Sequence, residues 1–146
     1  MGYFEVNQKK GWRWNTAKAF LRPTCYARPN FELWTSAQVA RLVVDAPADG
    51  PKRCTGAQVW NGQELVTATA TREVILCAGS IGTPQILQLS GIGPVPLLRE
   101  HRIAVEHALP GVGENLQDHL QIRAVFAISG TKTLNTISQT WWGKAG

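Results

Sequence analysis

The chain has 146 residues, 44% of them hydrophobic and 17% charged, so one folded domain with an ordinary core is expected and a disordered chain is excluded. No apolar run approaches the roughly 18 residues of a membrane-spanning helix, and the opening MGYFEVNQKK lacks the apolar stretch of a signal peptide. The net charge of +5 sits in residues 1–28, where Lys9, Lys10, Arg13, Lys18, Arg22 and Arg28 are opposed by Glu5 alone.

Trp12, Trp14 and Tyr26 stand among those cations, a mixture also found on nucleic-acid surfaces. No recognisable nucleic-acid module accompanies them. The segment reads instead as long side chains lying over a partly buried stretch, with cations able to meet an anionic cofactor. No nucleic-acid partner is expected. Asn15 and Thr16 then cap a short helix, AKAFLRP, which Pro23 is expected to stop. Residues 31–36 alternate like a strand, and residues 39–45 (VARLVVD) form a second, rich in β-branched side chains.

A Pro/Gly loop leads to a third strand over residues 55–60. Asn61-Gly62 signals a two-residue type I′ hairpin, and residues 65–71 return antiparallel, which makes a small β-meander. The run VILCA, residues 74–78, is continuously apolar, as in a parallel strand covered on both faces. Thr83-Pro84 is expected to start the next helix, with Ile86, Leu87 and Leu89 toward the core and Gly91 and Gly93 at its stop. A second helix over residues 96–102 ends in Arg99, His101 and Arg102, charges that suit its C-terminus. Residues 109–119 form a Gly/Pro loop, residues 121–129 resume period-two alternation, and a last helix begins near Thr133. The apolar Trp141-Trp142 pair near the end is expected to lie exposed and to favour aggregation.

Cys25, Cys54 and Cys77 are odd in number, far apart and never in a CxxC pair, so neither a metal site nor a disulfide framework is expected. Reduced thiols and a cytoplasmic location follow as expectations. The chemistry concentrates in residues 79–93, GSIGTPQILQLSGIG, directly after the apolar run. A strand, a glycine turn and a helix in that order bring backbone N–H groups and a helix N-terminus up to a phosphate.

This segment resembles the second signature of the glucose–methanol–choline family of flavin-dependent oxidoreductases. The likeness is carried by Gly79, Ser80, Thr83, Pro84, Ile86, Leu87, Ser90, Gly91, Ile92 and Gly93. LPGVGENLQDH resembles the stretch that follows it in the family, and RWNTAKAFLRP with RPNFELWTSAQVARL resembles the stretch upstream. Within the family the likeness is to bacterial choline-dehydrogenase-like alcohol dehydrogenases.

That resemblance implies an α/β fold: residues 1–118 as part of a Rossmann-like FAD-binding domain with an inserted antiparallel β-meander, and residues 119–146 as the start of an α+β substrate domain. It implies FAD as cofactor and oxidation of a small-molecule alcohol at its CH–OH group by hydride transfer to the flavin. The electron acceptor is left open between a quinone, another carrier and oxygen. Val39 matches the family's adenine-contacting valine. Ala78 and Gly79 match the positions where the last parallel strand meets the ribose and pyrophosphate, with Ser80 and Thr83 nearby. The physical need agrees, since Gly79 has no side chain to block a ligand and Ala78 is nearly as small. Plain helix–strand packing is the alternative for Ser80 and Thr83, while Ser90, Gly91 and Gly93 read as a helix stop.

The family's GxGxxG element and its C-terminal catalytic histidine do not occur in this sequence, so the chain reads as the middle of a longer enzyme and Met1 as an internal methionine. No catalytic residue is assigned. His101 and His107 read as surface residues. His119 matches a structural segment, and it and Asp118 would point to opposite faces of an extended chain. Asn115 and Asp118 are expected to hold the loop by side-chain to backbone bonds. Two other readings belong to the same resemblance: an FAD-containing hydroxynitrile lyase, and an inactive fragment with a structural or binding role.

Overall fold

A computed structural model describes residues 6–122 and 124–139, which fall into two units, Met1–Asn115 and Leu116–Gly146. The Trp141-Trp142 pair lies outside the described residues. The fold is a mixture of helix and short strands.

The first unit opens with a hairpin that the sequence reading missed. β1 (Gln8–Lys9) pairs antiparallel with β2 (Trp12–Arg13) across Lys10 and Gly11, both at positive φ. That is the geometry of a type I′ turn. The Lys9 ammonium lies 4.9 Å from the centre of the Trp14 ring, and that of Lys18 lies 5.7 Å from Trp12. The cations thus lie over aromatic faces.

Asn15 accepts the Lys18 N–H at 3.0 Å and opens a helical segment, Ala17–Cys25, that runs through Pro23 rather than stopping there. The segment is π-helical, with the Tyr26 N–H reaching back to the Leu21 carbonyl. In an α-helix the proline ring strikes the carbonyl four residues earlier; a wider turn moves that carbonyl aside. Residues 31–36 alternate as a strand would but pair with no other strand among the described residues.

β3 (Gln38–Asp45), β4 (Arg53–Trp60) and β5 (Leu65–Thr69) form an antiparallel sheet in chain order. Leu42 sits opposite Ala57, and Val59 opposite both Val39 and Val66. Register shifts between Val39 and Arg41 and between Val43 and Val44 bend the edge strand β3. The β4–β5 turn differs from the expected I′ form. Gly62 has positive φ while Asn61 does not, and Asn61 Oδ1 accepts from the Gln63 and Glu64 N–H groups at 2.9 Å. The Asn61 N–H bonds the Glu64 carbonyl at 3.1 Å, so the central pair is Gly62-Gln63, and positive φ at the first of them alone belongs to the II′ pattern.

The largest departure is the apolar run at residues 74–78, which forms no strand among the described residues and leaves Ile75 73% exposed. A doubly covered parallel strand needs strands beside it, and among the described residues none of the three sheets of this unit includes the run.

The helix that follows, α1 (Gly79–Leu89), starts five residues earlier than Thr83 as cap and Pro84 as first residue suggested, and carries Pro84 inside it. β6 (Ile92–Gly93) and β7 (His107–Ala108) pair in parallel around α2 (Val95–Glu100). α2 closes with Arg102 at positive φ, the Ile103 N–H on the Leu98 carbonyl and the Arg102 N–H on that of Arg99. This is a Schellman closure with arginine where glycine is usual. Leu98 is fully buried, with Ile86, Val112 and Val59 the other buried apolar residues described. The expected ordinary core is therefore a small one, gathered on α1, α2 and β4, because several apolar stretches find no cover.

In the second unit, the described residues of 121–129 form no strand where one was expected, and Val125 and Phe126 are 85% and 80% exposed. α3 (Leu134–Ser138) begins as its sequence suggests, with Thr133 as N-cap accepting the Thr136 N–H.

Candidate functional site

The N-terminus of α1 gathers four of the five residues singled out from the sequence. Ala78 is the N-cap and Gly79 takes a φ of +84°, which turns the chain from the apolar run into the helix. Nothing lies within 4 Å of where a Gly79 side chain would begin, so the helix end is open at this point. Ser80 is exposed beside it.

Thr83 lies inside α1 and is not its N-cap. Its hydroxyl accepts the Ala78 N–H at 3.1 Å, reaching back one turn to satisfy the cap residue's own donor. The N–H groups of the helix's first turn remain beyond it. No acidic residue lies in that turn, so no side chain of the turn itself offsets the positive end of the helix dipole. An open glycine, a small alanine and uncompensated N–H donors can take an anion, and a phosphate fits that chemistry.

Val39 lies elsewhere, half-buried on β3 opposite Val59. The bond that joins β3 to α1 is made at Leu42, whose N–H donates to Ser90 Oγ at 2.8 Å. Ser90 in turn donates to the Ile86 carbonyl at 2.6 Å. A second side chain ties α1 to the following loop: Gln88 Nε2 donates to the Val112 carbonyl at 3.2 Å. The sequence reading missed both ties. A polar residue just before a helix-ending glycine was the available signal for Ser90.

A cavity of about 200 Å³ lies at the other end of α1, between β3 and residues 103–106, with Arg41, Gln58, Ser90 and Glu106 in its wall. Lys52 forms an ion pair with Glu106 at 3.3 Å on its rim, both side chains being well exposed. None of the five sequence-selected residues lines this cavity.

Acid–base chemistry finds little support. His101, His107 and His119 are exposed. Asp118 Oδ1 accepts the backbone N–H of His119 at 2.7 Å, a bond that holds the main chain rather than orienting an imidazole. Asn115 sits at positive φ in its loop. Among the described residues no group of His, Cys, Asp and Glu could hold a metal ion, and Cys25, Cys54 and Cys77 are free thiols.

Comparison with known proteins adds to this geometry. Residues 1–121 match the family described as GMC oxidoreductase. An oxygen-dependent choline dehydrogenase of Pectobacterium atrosepticum is 46% identical over 118 residues, which are 81% of this chain and 20% of that protein. An alcohol dehydrogenase [acceptor] of Pseudomonas putida is 40% identical over 129 residues, 87% of this chain and 22% of that protein. Among solved structures, an FAD-dependent oxidoreductase from Chaetomium thermophilum superposes with a TM-score of 0.50 at 36% identity, covering 57% of this chain and 14% of that one. The chain thus spans about a fifth of the length of the curated relatives it matches.

Proposed function

The chain belongs to the GMC oxidoreductase family, and from that premise we propose that it forms one wall of an FAD site in an enzyme that oxidises a small-molecule alcohol. Residues 1–118 are the partial, Rossmann-like FAD-binding portion, and residues 119–146 begin the substrate domain. The α1 N-terminus takes the pyrophosphate, with Ala78 and Gly79 admitting the ligand to the backbone and Ser80 beside it. Thr83 holds the turn in shape through the Ala78 N–H. Val39 on β3 meets the adenine. When bound, FAD accepts the hydride that leaves the alcohol carbon. The chain's own contribution is placement of the cofactor, and it supplies no proton-transfer group.

The observation that carries this reading is the helix end itself: open space at Gly79 and a first turn free of acidic side chains. Ser80→Asp tests it because two effects of one carboxylate then oppose each other. A negative charge in the first turn favours the helix by about 0.5 kcal/mol. The same charge repels a bound pyrophosphate. Calorimetric titration with ADP is expected to show affinity at least about tenfold lower in this variant, while thermal stability holds or rises. Unchanged ADP affinity in Ser80→Asp refutes the assignment of the pyrophosphate to this turn.

A further inference from the structure

Ser90 has a bonding pattern that stopping a helix does not require. The end of α1 is closed by main-chain groups: the Ser90 N–H reaches the Ile86 carbonyl at 3.0 Å, and the Gly91 N–H reaches that of Gln88 at 2.9 Å. Gly91, at a φ of +78°, makes the turn that ends the helix. An alanine at position 90 would leave all of those bonds in place. What it would remove is the hydroxyl of this buried residue, 7% exposed, which accepts the Leu42 N–H and donates to the Ile86 carbonyl.

Leu42 lies on β3, the edge strand of the sheet. The outward N–H groups of an edge strand have no strand to bond. Ser90 satisfies one of them and in doing so pins a helix to a sheet at one register. The Leu42–Ser90 bond is the one hydrogen bond between α1 and β3 among the described residues, whereas apolar packing is non-directional and tolerates sliding. The hydrogen bond does not.

β3 carries Val39, and α1 with its N-cap Ala78 carries the other four residues of the proposed site. Val39 is three residues from Leu42 on β3, roughly 10 Å along a strand. Gly79 is eleven residues from Ser90 on α1, roughly 16 Å along a helix. We propose that Ser90 is a positioning residue for the adenosine-diphosphate half of the cofactor, setting the register between the strand that meets the adenine and the helix that meets the pyrophosphate. It acts through the Leu42 N–H and touches no ligand. This rests on the cofactor reading given above.

The test uses ligands that span one wall or both. The ¹⁵N-labelled chain and its Ser90→Ala variant are titrated with adenosine, with inorganic pyrophosphate and with ADP, following amide shifts. A register fault leaves each wall intact and spoils only the ligand that must reach both. Adenosine and pyrophosphate are therefore expected to bind both proteins alike, and ADP to bind the variant about tenfold more weakly. Ser90→Cys, whose thiol is a weak donor and acceptor, falls between. Equal loss for all three ligands marks a general structural defect and overturns the proposal, as does unchanged ADP affinity. If neither variant folds, Ser90 is a stability residue and the proposal is likewise lost. A folded wild-type chain that ignores ADP at the α1 N-terminus defeats the cofactor reading itself, a different result from either.

Discussion

The segment around α1 and the apolar run before it differ in how their structure is specified. Around α1, polar side chains have defined partners: Thr83 holds Ala78, Gln88 holds Val112 and Ser90 holds Leu42. Ile86 and Leu98 are buried there. Residues 74–78 are as apolar as any stretch in the chain, yet they form no strand and leave Ile75 73% exposed. The contrast separates two kinds of information. Directional bonds of polar side chains find their partners within this chain, near in sequence for Thr83 and far from it for Gln88 and Ser90. Apolar strands need edges contributed by other strands, and hydrophobicity alone does not create those edges.

Three substitutions test that contrast, beginning with the largest effect. Leu98→Ala, at the fully buried core position, is expected to cost about 2–5 kcal/mol in urea unfolding. Gly91→Ala comes next at about 3 kcal/mol, because its Cβ would stand 2.3 Å from the Ala104 carbonyl oxygen in a backbone conformation that already disfavours side chains. Ile75→Thr is expected to change stability by no more than about 0.5 kcal/mol and to reduce aggregation. A cost for Ile75→Thr as large as that for Leu98→Ala would break the comparison.

The same division explains how much the sequence disclosed. The strands expected at residues 39–45, 55–60 and 65–71 appear as Gln38–Asp45, Arg53–Trp60 and Leu65–Thr69. β-branched alternation and the turn at Gly62 are local signals, and their partners lie close in sequence. Residues 31–36, 74–78 and 121–129 carry the same strand-like patterns without pairing among the described residues. Their apolar periodicity was legible, but pairing is a non-local event that it does not determine. Pro23 misled for another reason: a proline rule built on α-helical geometry does not hold in a wider π-helical turn.

At the candidate site, the need for glycine at position 79 was legible, because a sharp turn into a helix demands its freedom of φ. The roles of Thr83 and Ser90 were not. A hydroxyl near a helix end can cap, back-bond or bridge to another element, and only the fold selects among these. Thr83 turns out to bond the main chain before the helix, and Ser90 a strand forty-eight residues away in sequence. Both lie in the segment whose pattern first pointed to a phosphate.

The central claim is that the α1 N-terminus, and not the basic segment that runs from the Lys9 hairpin to Lys18, receives the cofactor's phosphates. Amide chemical-shift mapping of the 146-residue chain during ADP titration tests it most directly. Shifts concentrated at Ala78, Gly79 and Ser80, with a smaller set around Val39, are the expected result. Shifts confined to residues 8–18, or no shifts at residues 78–80 at saturating ADP, would contradict it.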